Sequence, residues 1–163
     1  MMNKIKSFFD NFLFGLFRKK KHIRLGVYGP PNAGKTSLAN IICKDWTGED
    51  MGKVSEIPHE TRQVQMKEEI KVESDGKEIT FNLIDTPGIA TKIDYEDFVK
   101  KGMKKKEAQE RAKEATKGVI ESIKWLDSVD AVLVVLDASK NPYDQVNITL
   151  VANLVAKKKK LII

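Results

Sequence analysis

The chain has 163 residues, of which 41% are hydrophobic and 32% charged, which suits one soluble domain with a core of useful size. Its single cysteine, Cys43, excludes an internal disulfide framework and fits a reducing cytosol, where it reads as a small core residue. The formal net charge of +6 is carried entirely by the first 24 residues, so a basic leader precedes an electrically balanced domain.

In the leader, residues 1–22, Ile5, Phe8, Phe9, Phe12, Leu13, Leu16 and Phe17 recur at helical spacing ahead of Arg18-Lys19-Lys20-Lys21. The apolar run is too short and too interrupted to span a bilayer, and a basic cluster stands where a signal peptide would need small residues. Two destinations remain open for residues 3–21. One is the surface of an anionic membrane, which would place the protein in the cytoplasm at the inner face of the cell membrane; the other is packing on the domain or on a partner.

Residues 23–163 alternate between strand and helix. Ile23–Tyr28 reads as a buried strand, Lys35 to about Asp45 as a helix, and residues 46–63 as a long loop with Gly48, Gly52 and Pro58. Val64–Glu73 and Glu78–Ile84 form a hairpin about the turn signal Asp75-Gly76. Tyr95–Leu126 is a charged helical stretch, with Gly102 and Gly118 as candidate breaks. Ala131–Leu136 has the unbroken apolar character of a strand buried on both faces. Asp144–Ala156 has helical spacing in Val146, Leu150, Val151 and Leu154, and Leu161-Ile162-Ile163 reads as the start of a further strand. The pattern predicts a three-layer α/β fold with a mostly parallel sheet and one antiparallel hairpin strand.

Between the first strand and the first helix stands Gly29-Pro30-Pro31-Asn32-Ala33-Gly34-Lys35-Thr36, a phosphate-binding loop in its proper setting. Glycines let the backbone turn N–H groups onto phosphate oxygens, and the helix opening through Ser37 adds its positive end. Lys35 is expected to reach the β and γ phosphates and Thr36 to ligate Mg²⁺. About fifty residues later, Phe81-Asn82-Leu83-Ile84-Asp85 ends an apolar strand in a carboxylate suited to Mg²⁺, and Thr86-Pro87-Gly88 follows. Gly88 can bring a bare backbone N–H to a γ-phosphate.

The loop together with Asp85-Thr86-Pro87-Gly88 resembles the translation-factor-related GTPases, in particular the Era and TrmE branch, over residues 23–163. The resemblance implies a P-loop GTPase G domain that binds GTP and GDP and acts as a slow, Mg²⁺-dependent regulatory hydrolase. It also implies a first-switch threonine closing on Mg²⁺ and the γ-phosphate. Thr61, followed by Arg62, matches that position, with Thr47 as a rival. Ile89 stands where many small GTPases carry a catalytic glutamine; its side chain would have to retract. Ile89 cannot orient water by hydrogen bonding; in this branch a potassium ion held by the loop asparagine, here Asn32, often does the work instead by neutralising developing charge, so Lys35, Asn32 and Thr61 are the expected catalytic set. Asn32 could instead serve only to adopt a left-handed turn.

The guanine-reading N-K-x-D motif of the family is absent through Ile163, and Asp137-Ala138-Ser139-Lys140-Asn141 has Asn and Lys in the wrong order to replace it. The expectation is a chain whose C-terminal part is missing, with guanine preference implied by resemblance alone and an ATPase of similar topology as an alternative. Residues 100–117 carry eight basic side chains against Glu107, Glu110 and Glu114. That run suits an RNA, as in several relatives, or a solvated helix linked to the second switch that presents a protein effector surface. The functional alternatives are a nucleotide-binding interaction module with little hydrolysis and an RNA or ribosome assembly GTPase.

Overall fold

The computed structural model describes residues 22–49, 51, 63–74, 77–90 and 92–163. Residues 1–21 of the leader, Thr61-Arg62 and the Asp75-Gly76 turn lie outside the described residues, and His22 opens the first strand. Five strands, β1 (His22–Tyr28), β2 (Gln65–Ser74), β3 (Lys77–Asp85), β4 (Ala131–Val134) and β5 (Lys160–Ile162), form one sheet in the order β2-β3-β1-β4-β5. β1 runs parallel to β3 and β4, β4 parallel to β5, and β2 antiparallel to β3. The helices are α1 (Lys35–Thr47), α2 (Tyr95–Lys100), α3 (Lys105–Trp125) and α4 (Gln145–Ala156). This is the mostly parallel α/β sheet with one antiparallel strand that the sequence pattern predicts.

Successive residues of a strand point to opposite faces, and here both faces are buried. Ile23, Leu25, Val27, Phe81, Leu83 and Leu133 belong to a core with Ala39, Ile42 and Cys43 of α1. Tyr28, Ile84, Val132 and Val134 belong to a second core with Leu126, Val129 and the α4 residues Leu150 and Leu154. Each fully buried large aliphatic or aromatic side chain contributes about 1.5–3 kcal/mol relative to exposure. On the α1 side, Trp46 meets Phe81 edge to face, with ring centroids 6.2 Å apart.

The charged stretch after the second phosphate motif is two helices, broken at Gly102 and not at Gly118. Gly102 has φ 93°, its amide donates to Val99 O at 2.9 Å, and the Met103 amide donates to Phe98 O at 3.1 Å. These are the two bonds of a Schellman cap, which needs a left-handed residue where Gly102 stands. Gly118 is buried within α3, on a stripe of small residues with Ala108, Ala115 and Ser122. Among the described residues, no helix is long and apolar enough to cross a membrane.

Candidate functional site: a phosphate loop and a strand-end carboxylate

β1 and β3 are adjacent parallel strands with Val27 opposite Asp85, so the segments leaving their carboxyl ends emerge side by side. From β1 comes the loop Gly29 to Gly34, which turns through Asn32 at φ 60° and Gly34 at φ 88° into the first turn of α1, carrying Lys35, Thr36 and Ser37. From β3 comes Asp85, fully buried, followed by Thr86, whose hydroxyl donates to Val27 O at 2.7 Å. The sheet register therefore brings together the two motifs that are far apart in sequence.

The two motifs touch directly. Thr36 Oγ1 donates to Asp85 Oδ2 at 2.6 Å. The Ile89 amide donates to Gly29 O at 3.0 Å. A Cβ on Gly88 would lie 2.7 Å from Pro31 Cα and 2.9 Å from Pro31 N, so only glycine allows this approach of the second motif to the loop. Ile89 itself is turned inward, packed with Tyr28, Ile84 and Leu126 in the second core, as the retraction expected of it requires.

Lys35 is buried and lies across the loop, with Nζ donating to Pro30 O at 2.7 Å. Burial lowers its pKa from an ordinary value near 10.5 to about 8, against the opposing pull of the Asp85 charge. Asp85 is pushed the other way: burial raises its carboxyl, and the Thr36 hydroxyl, the Lys35 charge and the Thr86 amide offset part of that rise. Asp85 Oδ1 is buried with no hydrogen-bond partner among the described residues. A buried orphan carboxylate oxygen beside a threonine hydroxyl is a hard-oxygen donor set that fits Mg²⁺, which takes few protein ligands and completes its shell with water and phosphate oxygens.

Other expected residues separate from this centre. Thr61 lies outside the described residues. Asp137 turns onto its own loop, accepting from the Ser139 hydroxyl at 2.6 Å and the Ser139 amide at 3.0 Å. Those bonds, with Lys140 beside it, hold its carboxyl down at about 2. That segment is a local turn with its own internal partners. The lysine-rich run is divided by the α2–α3 break, and α3 carries exposed pairs such as Lys113 with Glu110 at 3.1 Å, as on a solvated helix face.

Three residues take buried polar roles that no motif in the sequence marks. Tyr28 and Ser122 are fully buried and bonded to one another beside the second motif. Arg111 is a charge buried on the small-residue face of α3, 3.4 Å from Glu114. The spacing Ala108, Arg111, Ala115, Gly118, Ser122 on one helix face was the available signal for two of them.

The family of 50S ribosome-binding GTPases matches residues 24–163. The GTPase Der of Pelotomaculum thermopropionicum is 35% identical over 123 residues, covering 76% of this chain and 22% of that protein. The tRNA modification GTPase MnmE of Mycoplasmoides gallisepticum is 30% identical over 142 residues, covering 86% of this chain and 25% of that protein. The chain thus spans about a quarter of the length of these relatives. A crystal structure of Era in complex with MgGDPNP and nucleotides 1506–1542 of 16S ribosomal RNA superposes with a TM-score of 0.61. At 17% identity over 87% of this chain and 39% of that one, it shows the shared fold. With the phosphate loop, the strand-end aspartate and the D-T-P-G glycine assembled on that fold, the chain belongs to the 50S ribosome-binding GTPases, P-loop small GTPases of the Era and TrmE type.

Proposed function

We propose that the chain is the phosphate-handling part of a regulatory switch that binds GTP and GDP with Mg²⁺ and hydrolyses GTP slowly. The observation that carries this reading is the meeting of Thr36 with Asp85 across the loop at 2.6 Å, beside the orphan Oδ1. Mg²⁺ held there by Thr36 and Asp85 would neutralise charge on the β and γ phosphates; Lys35 would bind the same oxygens, and Gly88 would present its N–H to the γ-phosphate. Thr61 is the first-switch residue expected to complete the metal shell. The preference for guanine rests on family membership. Steady-state GTP turnover by the full-length protein, abolished in Lys35→Ala, is the expected result; tight nucleotide binding without turnover would favour the interaction module instead.

With no glutamine to orient the attacking water, catalysis falls, in this proposal, to a potassium ion beside Asn32 that neutralises charge developing on the phosphates. The inward packing of Ile89 supports it, because that side chain is committed to the core. For partners, the family description, the MnmE relative and the Era complex with 16S ribosomal RNA favour a ribosomal or RNA-linked role, and the exposed lysines of α3 supply phosphate-compatible charge. A cleft of about 410 Å³ beside the loop, lined by Pro31, Ala90, Ile93, Phe98 and Lys101 among others, offers a protein effector a surface next to the switch. RNA retention that collapses with rising salt supports the RNA role. Docking of a cytoplasmic protein at an anionic membrane through residues 3–21 is tested by vesicle flotation with and without residues 1–22; equal behaviour rules it out.

A further inference from the structure

Helix α3 reaches the second phosphate motif through buried polar contacts. Ser122 Oγ lies 2.8 Å from Gly118 O, one turn back in its own helix, and 3.2 Å from Pro87 O. The Ser122 carbonyl accepts the Tyr28 hydroxyl at 3.0 Å. Tyr28, the last residue of β1, and Ser122 are both fully buried. A serine hydroxyl has one hydrogen, so the two carbonyls share it. The Gly118 bond is the ordinary back-bond of a helical serine; the Pro87 bond exists only because α3 is held against the motif, and the Tyr28 hydroxyl fastens the same turn of helix to β1.

Pro87 C=O and Gly88 N–H belong to one peptide plane. With no cis bond in the described chain, the two groups point in opposite directions from that plane. Fixing the carbonyl therefore fixes the direction of the N–H. On its other flanks the same dipeptide is confined by Pro31 against Gly88 and by the Ile89 amide on Gly29 O. We infer that Ser122 is a positioning residue for GTP hydrolysis, aiming the Gly88 N–H at the γ-phosphate by holding the Pro87 carbonyl, with Tyr28 as its anchor. The inference rests on the γ-phosphate role of Gly88. It makes α3 the lever through which anything bound to that helix would reach the nucleotide.

The test compares GDP with the non-hydrolysable analogue GMPPNP in the full-length protein. Because GDP lacks the γ-phosphate, Ser122→Ala is expected to leave GDP affinity unchanged while weakening GMPPNP binding and lowering kcat by up to about tenfold, the worth of one buried hydrogen bond. Equal losses for both nucleotides would make Ser122 a merely structural residue, and wild-type behaviour would overturn the role outright. If Ser122→Ala fails to fold, Tyr28→Phe carries the same comparison with the same expected split. Gly88→Ala separates the two layers. Wild-type GMPPNP binding there removes the premise, whereas a loss confined to GMPPNP, with GDP binding retained, beside a wild-type Ser122→Ala removes only the role of Ser122; equal loss of both nucleotides marks the clash with Pro31 and removes the premise as well.

Discussion

Thr36 and Asp85 are 49 residues apart in sequence, and their side chains meet at 2.6 Å where α1 begins and β3 ends. A hydroxyl and a carboxylate that both suit one divalent cation are thus held within reach of it by two rigid elements. Asp85→Asn preserves size and can still accept from Thr36, but it replaces the orphan charged oxygen with an amide. Turnover should fall by about 100-fold or more and its Mg²⁺ midpoint should move to higher concentration, with GDP binding reduced far less. A magnesium titration of kcat checks this; an unchanged magnesium midpoint refutes the assignment.

Lys35 gives a pH signature with a definite sign. Burial holds its pKa at about 8, while the unfolded chain keeps the proton to near 10.5. Between those values unfolding takes up a proton, so this group makes the nucleotide-free protein more stable as pH rises through the window. Bound phosphates favour the charged amine, so nucleotide binding should take up a proton above pH 8 and weaken as pH increases. Calorimetry of GDP binding at about pH 8.5, in two buffers of different ionisation enthalpy, should show uptake of up to about three-quarters of a proton. Absence of uptake would mean that Lys35 is already fully charged.

Helix α4 ends on a conformation that its sequence does not favour. Lys158 has φ 52°, with its amide on Val155 O at 2.9 Å and the Lys159 amide on Leu154 O at 3.1 Å. This is the same cap that Gly102 makes at the end of α2, but with a lysine in the left-handed position. Lys158→Gly should raise the unfolding free energy by about 0.5–1 kcal/mol, measured by chemical denaturation, without changing turnover.

That contrast shows what the sequence could and could not express. The sheet was legible because Leu25–Tyr28 and Ala131–Val134 are uncharged and buried on both faces, which only an inner strand with cores above and below accommodates. The meeting of the loop with Asp85 was legible because the two motifs each constrain residue type and spacing, and the register of β1 on β3 brings their ends together. The break at Gly102 rather than Gly118 was not, since both are glycines in helix-forming surroundings; tertiary packing on the small-residue face keeps Gly118 helical. Ser122 carried no signal of its own either. A serine in a helix is ordinary, and its meaning came from Pro87 arriving 35 residues earlier in the chain.

Asn32 is the residue at which backbone and ligand roles can be separated. Its φ of 60° fits the plain reading, in which an asparagine merely tolerates the left-handed turn. Asn32→Gly keeps that backbone at no steric cost and removes only the side chain. If the turn is the whole role, turnover in potassium is unchanged. If the amide oxygen holds a cation, the variant turns over equally in potassium and sodium, at the lower sodium rate. The core-packed Ile89 sharpens the test: Ile89→Gln should not restore activity, because the new amide would enter an apolar cluster at a cost of about 1–3 kcal/mol rather than face the phosphates. Potassium stimulation that survives in Asn32→Gly would assign the cation to other groups of the loop.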